Sequence, residues 1–300
     1  MQRPASAGTL TPMLRVDPFD IYSVVNGTMR LDGGAMFGVV PKVLWSPLVD
    51  VDDDNRILLA TRTLIAVDRA AGRVVLVDTG CGSKWAPDLA KRYGISADPT
   101  AIDRRLHGLG LSSAAVTDVV VTHLHFDHNG GLTDWVDAPG GRTKLRYPQA
   151  RHWLHRGHWE QARHPHAKEK PSFIEADFAG LEESGVVAWV DGPDPAPPLA
   201  GMAWLLSHGH TACQLHPVFG IGGAKLVFVG DMVPTAAHVR PSWVMAYDVL
   251  PMTTIDEKQS LYRRCTQDGW RLAFAHDPSI AGVAIGGRPE RPTVTGRLEF

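Results

Sequence analysis

The stretch His123-Leu124-His125-Phe126-Asp127-His128 places three imidazoles and a carboxylate within six residues. A neutral imidazole offers one nitrogen lone pair and a carboxylate an anionic oxygen, a donor set that suits Zn²⁺ and its neighbours. As ordinary core, four such groups would carry a heavy desolvation cost. If the chain enters this stretch extended, strand alternation turns His123 and His125 to the same side. Asn129-Gly130-Gly131 then supplies a permissive backbone for a sharp turn. That turn carries Asp127 and His128 towards a second site beside the first. A polar surface loop rich in histidine is the competing reading, and it suits a lone His-x-His better than this full set.

The elements that must position these groups show in the apolar patterning. FDIYSVVNG alternates as a strand, and TLIAVDRA and RVVLVDTG form two more, joined by a hairpin turn at Ala71-Gly72. Helical stretches are expected over 85–93 and over 100–109, where Ile102, Leu106 and Leu109 fall at helical spacing. VVVT, ending at Thr122, is the short continuous apolar run of a buried strand and leads directly into His123. Residues 149–163 and 172–184 read as further helices, with His152, His155, His158, His164 and His166 on a solvated face and its trailing turn. His107, His216 and His238 stand alone, as satisfied core or surface histidines usually do. MAWLLS, QLHPVF and AKLVFVGD follow as strands, with Gly220, Gly222 and Gly223 turning between the last two. IDEKQSLYRRCTQDGW reads as a helix ending at Gly269, and RLAFAH as the strand after it. Residues 1–16 are expected to form a loose N-terminal arm and 17–300 a single domain. Strands that end on metal-type residues suit two face-to-face sheets with helices outside, because strand ends can project into one cleft.

Composition narrows the function. The 300 residues are 44% apolar and 21% charged, ordinary values for a globular chain. With 30 Lys+Arg against 32 Asp+Glu the net charge is -2, which argues against nucleic acid, whose binders carry a basic excess. A small-molecule substrate fits better. Cys81, Cys213 and Cys265 lie far apart with no CxxC pair, the pattern of thiols in a reducing compartment. The first twenty residues hold no apolar core of a secretory signal. No run approaches the roughly 18–20 apolar residues of a membrane span. A cytoplasmic protein, possible as a homodimer, is the expectation.

HLHFDHNGG resembles the signature of the metallo-β-lactamase superfamily, and the likeness runs in order from Asp78-Thr79-Gly80 through Gly209-His210-Thr211 and VFVGD, ending at Asp231, to His276. The resemblance implies an α/β fold of four layers, an αβ/βα sandwich. It also implies two divalent metal ions, Zn by default, with Mn, Fe or Co as alternatives. His123, His125 and His210 would hold the first, Asp127, His128 and His276 the second, and Asp231 would bridge both. Asp78 would orient the ligating imidazoles. His208, two residues before His210, would support the site from behind or wall the pocket rather than ligate.

Two metals about 3.5–4 Å apart that share a hydroxide generate a nucleophile at neutral pH and polarise the bond to be broken. The expected reaction is hydrolysis of a carbonyl or phosphoryl ester, with Asp127 passing a proton to the leaving oxygen. No GxSxG suggests a serine nucleophile. LDGGAMFGVVPKVLW (31–45) and DMVPTAAHVRPSWVMAYDVLPMTT (231–254) resemble segments of quorum-quenching lactonases of the YtnP type, a group related to acyl-homoserine lactonases and methyl parathion hydrolase-like enzymes. Met36, Phe37, Trp45, Trp243 and Met245 would line an apolar slot for an acyl chain, with His238 beside the substrate. Some of these lactonases place Tyr where this chain has Pro234, and relatives place His where it has Ala236. The leading expectation is therefore an N-acyl homoserine lactone lactonase. Its first rival is an organophosphate or phosphoester hydrolase on the same metals, and its second a ligand-binding effector without turnover.

Overall fold

The computed structural model describes residues 12–300. Most of the expected N-terminal arm therefore lies outside the described residues. Its end does not hang loose: Leu14–Val16 is a strand that pairs antiparallel with Phe19–Asp32, Leu14 opposite Ile21.

Among the described residues, two large sheets have eight and six strands. The first runs in the order Leu14–Val16, Phe19–Asp32, Arg56–Asp68, Arg73–Val77, Asp118–Val120, Arg151–His155, Val187–Val190, with Ser96–Ala97 paired to one side of Phe19–Asp32. Its last four strands are mutually parallel. The second runs Met202–Ser207, Gln214–Phe219, Leu226–Phe228, Arg271–Ala273, Gly282–Arg288, Arg291–Leu298.

Side-chain alternation shows how the layers stack. Leu64, Ala66, Val75, Val77 and Val120 of the first sheet share a core with Phe219, Leu226, Phe228 and Ala273 of the second. Their neighbours Ile65, Val67, Val74, Leu76 and Val119 face the other way, onto Ile102, Leu106, Trp159 and Phe178 of the helical segments. On the far side, Val227, Leu272 and Val283 meet Leu261, Tyr262 and Cys265 of the long helix Pro251–Asp268. The order helix, sheet, sheet, helix is the expected four-layer sandwich. A period of two in strands buried on both faces produces it.

Several expected elements change. Residues 149–163 are not one helix: Arg151–His155 is a strand between two parallel neighbours, and only Arg156–Arg163 is helical. Pairing on both sides overrides local helical patterning there. His152, His155 and His158 are accordingly buried rather than solvated. Over 172–184 only Glu175–Phe178 forms an α-helix. The hairpin Gly282–Arg288 with Arg291–Leu298 lies in a region where no strands are expected. The long helix ends as expected, with Gly269 in the left-handed conformation at φ 70°. The three cysteines are free, with Cys81 and Cys265 buried and Cys213 half-buried. No helix of the described residues is long and apolar enough to cross a membrane.

Candidate metal centre

Strand ends of both sheets meet at one cleft. After Asp118–Val120 the chain stays extended through His123 and His125, whose rings lie 4.5 Å apart. One helical turn, Phe126–Asn129, then carries Asp127 and His128 round. Gly130 is not needed for an unusual φ, since its backbone is helical at φ -59°. Close packing requires the glycines instead: a Cβ on Gly130 would sit 2.2 Å from the Cys81 carbonyl oxygen, and one on Gly131 2.5 Å from that of Thr79. From the second sheet come His210, just after Met202–Ser207, Asp231, in the turn after Leu226–Phe228, and His276, after Arg271–Ala273.

Two four-residue groups result: His123, His125, His210 and Asp231, and Asp127, His128, Asp231 and His276. Within each, the donor atoms lie within 4.8 Å of one another. Asp231 belongs to both. Its Oδ1 is 3.0 Å from His128 Nε2 and 3.0 Å from His276 Nε2, while Oδ2 is 3.2 Å from His210 Nε2.

Each imidazole is gripped from behind by an acceptor, which favours a proton on that outer nitrogen. His128 Nδ1 lies 2.8 Å from Asp78 Oδ2, His210 Nδ1 3.0 Å from Asp248 Oδ1, and His276 Nδ1 2.8 Å from the Ala60 carbonyl. His125 is held by its other nitrogen, Nε2, 3.2 Å from Glu169 Oε1. Thr122 Oγ1 donates to Asp78 at 2.8 Å, leaving its lone pair for His123 Nδ1 at 3.0 Å. Every inner nitrogen therefore presents a lone pair to the cleft. His123 Nε2 is buried with no hydrogen-bond partner. His276 Nε2 and His128 Nε2 stand only 2.9 Å apart. Lone pairs so aligned, with carboxylates among them, are what divalent cations satisfy. The residues fit the metals that the motif implies.

The electrostatics agree. Burial alone would lower His128, yet Asp231 and Asp127 push it well above its ordinary value, so positive charge is favoured at that point. Burial and the neighbouring His128 and His125 keep His123 well below its ordinary value, neutral and able to ligate. Glu169 would be raised by burial, but bonds from His125, Thr211 and Gln161 bring it down to about 2.

Asp78 sits behind the ligands. It accepts from Thr122 N at 2.9 Å and Asn129 Nδ2 at 3.0 Å as well as holding His128. His208 does not support the site: it is exposed, and its Nδ1 accepts from Cys213 N at 3.2 Å. The strand ends at Ser207, before either histidine, and the chain bends at Gly209 and His210. Glu169, Asp248 and Thr122 were not singled out by sequence reasoning. Thr122 adjoins His123 in the sequence, while Glu169 and Asp248 are tied to their histidines only through the fold.

The cleft opens into a cavity of about 110 Å³ walled by Met29, Met36, Leu59, Met245, Phe126, Tyr93 and Tyr247, with Asp127, Asp231 and His276 among its polar lining. Of the residues expected to line it, Phe37, Trp45, Trp243 and His238 do not. Phe37 stacks against Trp45 at 4.9 Å and against His238 at 4.4 Å, with Trp243 edge-on at 5.7 Å, and all four are buried. They pack on one another behind the wall, where stacking buries their large rings. His238 Nε2 lies 2.8 Å from the Met36 carbonyl, so this stack supports the wall without forming it. Pro234 offers its carbonyl to His276 N at 3.0 Å. Tyr247 supplies a phenol from another part of the chain.

A family model described as the metallo-beta-lactamase superfamily matches residues 63–285. The chain belongs to that superfamily, and its centre is that of a metal-dependent hydrolase. Among solved structures it is similar to a probable metal-dependent hydrolase from Staphylococcus aureus, with 26% identity and a TM-score of 0.85, covering 96% of this chain and 99% of that one. It is also similar in fold to AidC, a dizinc quorum-quenching lactonase in complex with a product, at 16% identity and a TM-score of 0.73, covering 94% of this chain and 95% of that one. The hydrolase AbOPH of the beta lactamase superfamily stands equally near, at 16% identity and 0.73, with 96% and 97% covered. No curated protein matches the sequence significantly.

Proposed function

We propose that the chain is a dinuclear metal-dependent lactonase that opens N-acyl homoserine lactones. The observation that carries this reading is the character of the cavity: methionine, leucine and aromatic walls above a floor of imidazoles and carboxylates, with no Lys or Arg in its lining. Such a site accepts an ester with an apolar tail, and beyond the metals it offers no cationic side chain to hold the charge of an anionic phosphate monoester. A fold shared with a lactonase adds support. Bound divalent ions, zinc by preference for these donors, supply a nucleophile from water and polarise the carbonyl.

The protein's own residues do the rest. Met29, Met36 and Met245, with flexible and polarisable side chains, adapt to an acyl chain. Asp127, on the cavity floor, takes up the proton released on attack and returns it to the departing ring oxygen. Burial and the carboxylates of Asp32 and Asp127 push Tyr247 up to about 12, so it remains a phenol at neutral pH and can donate to the carbonyl oxygen.

A second reading, phosphotriester hydrolysis, is favoured by the same absence of fixed charge, since triesters are also neutral. Purified protein with its metals counted should be offered lactones of graded acyl length and a panel of phosphotriesters, with proton release followed. Faster opening of acyl lactones than of any triester is expected. Turnover of triesters alone would overturn the lactonase assignment in favour of the rival.

A further inference from the structure

The segment between the helices Arg156–Arg163 and Glu175–Phe178 is largely exposed and irregular, and its residues His164, Lys168 and Lys170 face solvent. Glu169 in its middle is only 3% exposed. Its carboxylate faces His125 Nε2 at 3.2 Å, accepts from Gln161 Nε2 at 2.7 Å, and is bonded by Thr211 Oγ1, the neighbour of His210. The next residues reach the cleft: Pro171 and Ser172 line the catalytic cavity, and Phe173 packs edge-on against the His125 ring at 4.9 Å. On the other side, Lys168 Nζ donates to the carbonyl of Asp248, the residue that grips His210 and follows Tyr247. Residues 168–173 thus form a strap that contributes cavity wall on one side and touches the supports of both His125 and His210.

A buried carboxylate must be repaid by strong donors. The donor from His125 strengthens when the opposite ring nitrogen is bound to a cation, because polarising an imidazole makes its remaining N–H more acidic. Asp78 and Asp248 also grip ligating histidines, but they sit on a tight turn after a strand and on a loop fixed under the long helix. Lys258 of that helix ties the Asp248 loop through the carbonyls of Arg240 and Trp243, whereas the segment around Glu169 has Lys168 and Lys170 exposed on either side of the buried carboxylate.

We propose that Glu169 is a positioning residue that couples filling of the first metal group to docking of the 168–173 strap. Metal loading then completes the substrate wall as well as the reactive centre. Coupling of this kind is reciprocal: if metal holds the strap, the docked strap holds metal by the same factor. The inference rests on the metal centre and not on the identity of the substrate.

The test uses the full chain stripped by a chelator and titrated back with Zn²⁺ against a chromophoric chelator, alongside Glu169→Gln and Glu169→Ala. Trypsin cleavage after Lys168 reports the strap, and cleavage after exposed Arg142 serves as control. In the wild type, zinc should slow cleavage at Lys168 by about 10- to 100-fold, leaving Arg142 unchanged, and Glu169→Ala should weaken zinc binding by a similar factor. Glu169→Gln, which keeps the shape, should fall between them. The proposal is overturned if zinc leaves wild-type cleavage at Lys168 unchanged, a measurement that needs no variant to fold. It is also overturned if a folded Glu169→Ala binds zinc within about twofold of the wild type. A wild type that takes up no zinc at all would sink the metal centre itself, a separate failure.

Discussion

Replacing Phe37 with alanine removes the central slab of an aromatic stack. The Phe37 ring lies nearly parallel to Trp45, at 10°, and to His238, at 8°, with Trp243 closing the edge, and none of it reaches solvent. Burial, and then the Lys258 ammonium, push His238 down to about 3, so the stack is neutral at physiological pH. Truncating a fully buried Phe costs about 3–5 kcal/mol through lost transfer energy and the cavity left behind. With this many ring contacts the upper half of that range is expected. For a chain of this size each kcal/mol corresponds to roughly 2–3 °C, so the melting temperature should fall by about 8–15 °C. The assay is calorimetric melting of the zinc-loaded protein, paired with substrate kinetics well below the transition. KM should change little, because Phe37 stands behind the cavity wall. A variant that melts within about 2 °C of the wild type while KM rises tenfold would refute the reasoning and place Phe37 at the substrate.

Three further outcomes are expected. Asp231→Ala removes the one carboxylate common to both ligand groups, so plasma emission analysis should find the metal content of the purified protein collapsed and turnover at background; full metal content and rate would exclude a bridging role. Tyr247→Phe keeps the apolar wall and deletes a donor, so kcat should fall by about 100-fold with KM within a few fold, and an unchanged kcat would remove Tyr247 from the chemistry. Asp177 is buried against Lys84 at 3.1 Å, and burial, partly offset by Lys84, raises its carboxyl to about 6. A carboxyl raised in the folded state stabilises the fold fully below its unfolded value and loses that contribution as pH rises through about 6. In metal-free protein, Asp177→Asn should therefore lose less stability than the wild type between about pH 4 and 6, by up to about 3 kcal/mol in denaturant titrations; identical slopes would contradict the raised value.

The four-layer fold was legible through the resemblance carried by the histidine motif; apolar patterning marked the central strands but did not by itself choose their arrangement. The same resemblance implied that His123 to His128, His210, Asp231 and His276 share one site, and in the structure each follows the end of a strand. Arg151–His155 was not legible as a strand, because its extended state comes from two parallel partners distant in sequence. Glu169 and Asp248 were invisible for a related reason: a carboxylate behind an imidazole is defined by contact, and even the quoted 231–254 segment does not say which histidine its Asp248 would meet. Phe37, Trp45 and Trp243 were expected to line the cleft, and in the structure they pack behind its wall. Only packing could decide between its wall and the core behind it, and of the five expected residues Met36 and Met245 took the wall.

The ligands are drawn from both halves of the sandwich: His123, His125, Asp127 and His128 from one sheet, His210, Asp231 and His276 from the other. Uptake of a divalent ion would thereby clamp the central interface, making conformational stability a function of the free metal concentration. At a concentration of 100 times the dissociation constant a single such ion adds about 2.7 kcal/mol to the folded state. Damage to the packing between the layers, far from any ligand, would accordingly surface first as a protein that gives up its metal too readily.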